Sequence, residues 1–182
     1  MDKRFAQNQI ALMKQLRLLW EQHVYWTRFF IISTAANLRD LEAVTDRLLR
    51  NPHDFAKLLL PFYSEKAADR FHELLTQHLL IAADLVNAAK KNETARANEA
   101  RRKWYHNADE IADFLSKINP FWNREKWKGM LYDHLEMTEK EAMLRLAGKY
   151  AEDIRMFDNI EKEALEMADF MSYGMIRQFG LR

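Results

Sequence analysis

Trp20-Glu21-Gln22-His23-Val24-Tyr25-Trp26-Thr27-Arg28 lies in the middle of a long segment whose apolar residues recur at helical spacing. Met13, Leu16, Trp20, His23, Thr27 and Phe30 fall on one stripe, while Lys14, Arg17, Glu21 and Arg28 fall off it. A histidine therefore occupies the centre of an apolar stripe, where an aliphatic side chain is the cheaper choice. The pattern recurs twice. Phe71, Leu75, His78, Ala82 and Leu85 form a second stripe, and Trp127, Leu131, His134 and Thr138 a third.

Composition supports the helical reading. The chain has 182 residues, the size of one domain, and its 48% hydrophobic and 30% charged content is that of a globular protein. Four glycines and three prolines leave little material for hairpins or phosphate-cradling loops, and no alternating run argues for a sheet. The expected fold is all-α, an antiparallel helical bundle in a single domain over residues 1–182.

A net charge of +1 gives no reason to expect a nucleic-acid partner. The basic residues Arg96, Arg101, Arg102 and Lys103 are interrupted by Glu99 and read as a solvated helix face. The absence of cysteine excludes disulfides, thiolate metal sites and thiol nucleophiles. Met1-Asp2-Lys3-Arg4-Phe5 does not open an apolar signal region, and the apolar run 29–36 is far short of the roughly 20 residues that span a bilayer. A soluble, cytoplasmic protein is expected.

Periodicity and punctuation predict helices over 5–36, 41–50, 64–91, 95–118, 124–147 and 150–179, with a short helical turn at 55–60. Asn51 reads as the cap of that turn with Pro52 at its first position, and Ser64 as the cap of the next helix. Asn119-Pro120 closes the helix before it, and Gly148 is placed for a left-handed cap. No internal repeat is evident. Four of the long helices are expected to form the bundle, with 95–118 packed alongside and 41–50 as a crossover. At about 1.5 Å per residue, His23, His78, His134 and Glu161 then fall near one layer of a bundle about 40 Å long.

Glu161 enters because Ile154, Phe157, Glu161, Ala164, Ala168 and Met171 trace the expected inward stripe of the last helix. Three imidazoles and a carboxylate suit a divalent ion (iron, zinc or manganese), with positions open to water or substrate. Asp109 is a further candidate ligand, and Asp46, Glu73 and Asp158 are candidate supports. Tyr25, Tyr105 and Tyr132 can supply hydroxyls. No Glu-x-x-His, His-x-x-x-His or His-Glu-x-x-His occurs, so a site must be assembled from single residues on separate helices. His53, His72 and His106 fall in a turn or on polar faces.

Other readings stay open beside the metal centre. In one, the same groups form a polar core network, Glu161 and Asp109 accepting from the imidazoles with Arg28 nearby, in a non-catalytic homodimer. In another, Trp20, Trp26, Trp104 and Trp127 line an apolar small-molecule pocket. For an enzyme, metal-assisted hydrolysis or oxygen-dependent oxidation is the natural chemistry.

The segments Leu19-Trp20-Glu21-Gln22-His23-Val24-Tyr25-Trp26-Thr27-Arg28, Arg47-Leu48-Leu49-Arg50-Asn51-Pro52, Trp104-Tyr105-His106-Asn107-Ala108-Asp109-Glu110-Ile111-Ala112 and Ile118-Asn119-Pro120-Phe121-Trp122 resemble a family of small bacterial all-helical proteins of unknown function. Some of these carry the label acetylglutamate kinase. The resemblance spans nearly the whole chain and implies a helical fold, with no activity attached. Amino-acid kinases hold nucleotide phosphates on glycine-rich loops after strands. Gly129, Gly148, Gly174 and Gly180 are scattered and follow no strand pattern, so these residues do not support the kinase label.

Overall fold

The computed structural model describes residues 3–181, with side chains from Asn8 onward, and every regular element among the described residues is a helix. These are α1 Lys3–Ala36, α2 Leu41–Leu49, α3 Asn51–Leu59, α4 Glu65–Lys90, α5 Thr94–Ile118, α6 Arg124–Leu146 and α7 Tyr150–Gln178. Met1 and Asp2 of the amino-terminal segment lie outside the described residues. Within the described residues no helix is long and apolar enough to cross a membrane.

The boundaries have local causes. Ser64 Oγ accepts from the Ala67 amide at 3.2 Å and Asn123 Oδ1 from the Lys126 amide at 2.9 Å, satisfying amides that the first turns of α4 and α6 leave open. Asn119, ahead of Pro120, is extended at φ −140° and ψ 116° and ends α5. Gly148 takes φ +72°, which lets the Lys149 amide reach back to the Leu144 carbonyl and close α6.

The fold is the all-α helical bundle expected, but the helix over 94–118 is not packed alongside it. The pair α2–α3 carries the chain back along α1, so α4 starts from the same end as α1. Next, α5 packs between α4 and α6, and α7 between α6 and α1. Trp104, Asn107, Ala108, Ile111, Ala112 and Leu115 are all buried, which makes α5 a full member of the core. As a result α1, α4 and α6 run in the same direction and meet at the centre, with α5 and α7 as the returning helices between them.

Below the central layer, Trp20 stacks on Trp127 with ring centres 6.4 Å apart, and Phe55 bridges Trp20 at 5.3 Å and Phe71 at 5.8 Å. At this end Trp122 lies against α7, donating its indole N–H to the Met171 carbonyl at 3.2 Å. The indole occupies the space where any residue but glycine at position 174 would carry a Cβ. Gly174→Ala is expected to displace Trp122, break that hydrogen bond and destabilise the fold by roughly 1–3 kcal/mol. Chemical denaturation of the variant measures it, and an unchanged midpoint would show that the indole moves freely.

Candidate metal centre

Three helix pairs each place one histidine at the centre of the bundle. His23 comes from α1, His78 from α4 and His134 from α6, each with 3% exposure or less. Their ring centres are 5.8, 6.0 and 6.4 Å apart. One ring nitrogen from each lies within 4.8 Å of one from each of the others.

Each imidazole is held from behind by a residue on a later helix. His23 Nδ1 is 3.0 Å from Asn51 Oδ1 on α3, His78 Nδ1 is 2.9 Å from Asn107 Oδ1 on α5, and His134 Nδ1 is 3.0 Å from Glu163 Oε2 on α7. The two asparagines leave no freedom in the proton assignment. Asn51 Nδ2 donates to the Leu19 carbonyl at 2.9 Å, and Asn107 Nδ2 to the Leu74 carbonyl at 3.1 Å. A carbonyl only accepts, so the amide oxygen must face the ring, and Nδ1 must carry the proton. In each case that carbonyl belongs to the residue four positions before the histidine, so one amide side chain fixes both the ring and its own helix turn. Glu163 holds the His134 ring alone, through a carboxylate oxygen that also requires a proton on Nδ1, and its other oxygen has no partner among the described residues. The ring nitrogens left for an ion are the three Nε2 atoms.

Burial makes these rings poor bases. It pushes the His23 pKa down to about 3, with His134 beside it adding to the effect and the Asn51 hydrogen bond opposing it. Burial likewise holds His78 well below 6.5, helped by the neighbouring His23 and His134. His23 and His78 are therefore neutral at physiological pH, each with a bare Nε2 lone pair.

The other sequence candidates are placed elsewhere. Glu161 accepts from the Tyr25 hydroxyl at 2.6 Å on the half-exposed side of α7. Asp109 pairs with Lys128 at 2.8 Å and takes the Tyr132 hydroxyl at 3.2 Å, about a third exposed. Neither belongs to the histidine cluster. The reason for Glu161 is phase. The buried face of α7 runs through Asp153, Phe157, Ile160, Ala164, Met167 and Met171, and Ile154 is 52% exposed. With that rotation Glu161 turns toward α1 and Glu163 toward α6.

Asn51, Asn107 and Glu163 are the residues that sequence reading missed. Asn51 is not a cap but the first residue of α3, wholly buried and committed to His23. A faint signal exists. Leu19-Trp20-Glu21-Gln22-His23 and Leu74-Leu75-Thr76-Gln77-His78 share Leu-x-x-Gln-His, and each histidine's partner follows it by 28 or 29 positions.

Beyond the histidines, α1 and α6 bury a charged cluster with the start of α7. Arg28 donates to Glu141 at 2.5 Å and to Asp153 at 2.7 Å, and Arg145 reaches Asp153 at 3.2 Å. Glu141 and Asp153 are 1% and 0% exposed. Burial pushes Glu141 up to about 7 even though Arg28 pulls the other way.

No protein-family model matches the chain, and comparison with curated proteins and with solved structures gives no match either.

Proposed function

We propose that His23, His78 and His134 bind one divalent metal ion, iron, zinc or manganese, through their Nε2 atoms. The observation that carries this reading is the enforced tautomer. A structural histidine network would pass protons from ring to ring, whereas here Asn51, Asn107 and Glu163 hold every Nδ1 proton outward. Three acceptors then lie close together in the buried core, an arrangement that a cation satisfies. Imidazole is a good ligand for such ions, and an outward Nδ1–H on an amide or carboxylate is the usual support for a metal-bound histidine. An ion about 2.1 Å from each nitrogen draws the rings inward by less than about 1 Å each. Three protein ligands leave at least one coordination position open, the arrangement of a reactive rather than a purely structural centre. Hydrolysis assisted by the metal and oxidation by dioxygen both use such a position. The proposed kinship with small helical bacterial proteins adds no chemistry to this reading.

The test is elemental analysis of untagged protein purified without chelator, followed by metal titration. Wild type is expected to hold close to one ion per chain and His78→Ala none. Asn107→Ala, which keeps all three ligands, is expected to bind about 10–100-fold more weakly. Wild-type protein that stays folded and takes up no iron, zinc or manganese would leave the histidines as a core polar cluster.

A further inference from the structure

Between the second half of α1 and α2 lies a partly open cleft of about 470 Å³, the size of a small-molecule site, and no histidine borders it. Trp26, Phe29 and Ile32 form its α1 wall, Val44 and Arg47 its α2 wall, and Leu38 borders it from the connection between the two helices. Of Trp20, Trp26, Trp104 and Trp127, only Trp26 belongs to it. The walls are mostly apolar, and Phe29 and Leu38 leave 43% and 44% of their surface to water.

The positive charge in this apolar cleft is not compensated from within the fold. The Arg47 guanidinium lies 4.8 Å from the centre of the Trp26 ring, which holds it against the wall. It forms no ion pair among the described residues, and its Nη1 is buried without a hydrogen-bond partner. One turn further on, Arg50 already takes Asp54, at 3.2 Å. Burial and the neighbouring Arg50 pull the Arg47 pKa down from 12.5, with Asp54 opposing them, the mark of a cation short of negative charge. The guanidinium still stays charged at physiological pH. Asp40 also borders the cleft, but it is exposed and stands seven positions, about 10 Å, from Arg47 along the helix.

We infer that the cleft binds a small monocarboxylate with a hydrocarbon tail, the carboxylate on Arg47 and the tail along Trp26, Phe29, Leu38 and Val44. A planar carboxylate matches the guanidinium fork, and the charged hydrogen bonds it makes are the strong ones. A tail over Phe29 and Leu38 removes their apolar surface from water. One guanidinium, with Asp40 at the other end, suits a single negative charge better than the double charge of a phosphate.

The experiment titrates the full chain with octanoate by calorimetry, with octanol as the uncharged control of the same tail. Wild type is expected to bind octanoate saturably, about 10–100-fold more tightly than octanol. Arg47→Met keeps most of the stem and is expected to bind the two alike, at the octanol level. Leu38→Glu sets a carboxylate in the wall at an exposed position and is expected to abolish octanoate binding with little change in the thermal midpoint. Octanoate bound equally by wild type and Arg47→Met, octanol bound as tightly as octanoate by wild type, or no saturable uptake overturns the site. A wild-type dimer in light scattering that Leu38→Glu turns into a monomer, without octanoate uptake, also overturns it and makes a second copy of the chain the occupant.

Discussion

Arg28→Met is expected to destabilise the protein by about 3–5 kcal/mol, a drop in the thermal midpoint on the order of 10 °C. Met fills much of the space of the arginine stem, so the loss comes from charge. Glu141 and Asp153 are both buried and both depend on the same guanidinium, and without it Arg145 remains for Asp153 alone. Removing one partner of a buried set costs far more than the set contributes over an apolar replacement, because the carboxylates that remain cannot return to water. Two further measurements separate this cause from simple repacking. Glu141→Gln and Asp153→Asn in the Arg28→Met background are expected to recover much of the loss. The deficit of Arg28→Met relative to wild type is also expected to shrink as the pH falls toward 5, because protonation then discharges the stranded Glu141. A deficit independent of pH would place the effect in packing against Phe157, whose ring the guanidinium covers at 4.7 Å.

Metal-free protein is expected to lose stability on mild acidification, well before ordinary carboxylates are titrated. His23 is pushed down to about 3 and His78 lies well below 6.5, so below pH 6.5 the unfolded chain takes up two protons that the folded chain refuses. Their contribution is fully present above 6.5 and is lost as the pH falls below it, for His23 down to about 3. Glu141 acts in the opposite sense. Its raised value near 7 means that the folded state holds a proton which the unfolded state releases above about 4.5, so acidification from 7 to 4.5 favours folding at this one group. The two histidines outweigh it, leaving a net loss of stability as the pH falls below 6.5. Thermal midpoints measured from pH 7.5 to 4.5 in the presence of chelator check this. Replacing His23 and His78 by phenylalanine is expected to remove the acid-side fall. A wild-type midpoint that stays flat to pH 5 would mean that the rings accept protons within the fold.

The limits of the sequence show most clearly along α7. Its apolar residues are dense enough that two phases differing by one position fit nearly as well, and only packing between α1 and α6 selects the one that buries Ile160 and exposes Ile154. That rotation carries Glu163 to His134 and leaves Glu161 with Tyr25. Asn51 was hidden for a different reason. Before Pro52 an asparagine is a natural helix cap, and nothing local distinguishes a cap from a side chain that reaches a histidine 28 positions away. Asn107 stands beside the apolar stripe of α5 and has no partner until α4 is laid against it.

What the sequence by itself determined is whatever depends on the residue's own helix. Scarce glycine and proline, strong helical periodicity and local caps set an all-helical chain, and the stripes through Trp20, Phe71 and Trp127 turned His23, His78 and His134 inward. The choice of Asn51, Asn107 and Glu163 as their supports was decided only by tertiary structure, as was the parallel course of α1, α4 and α6. The physical reason is that an apolar stripe states which face is buried but not what it is buried against. A hydrogen bond between helices depends on rotation and height to within about an ångström. One residue of helical phase is about 100°, enough to exchange a ring's partner for a surface tyrosine's.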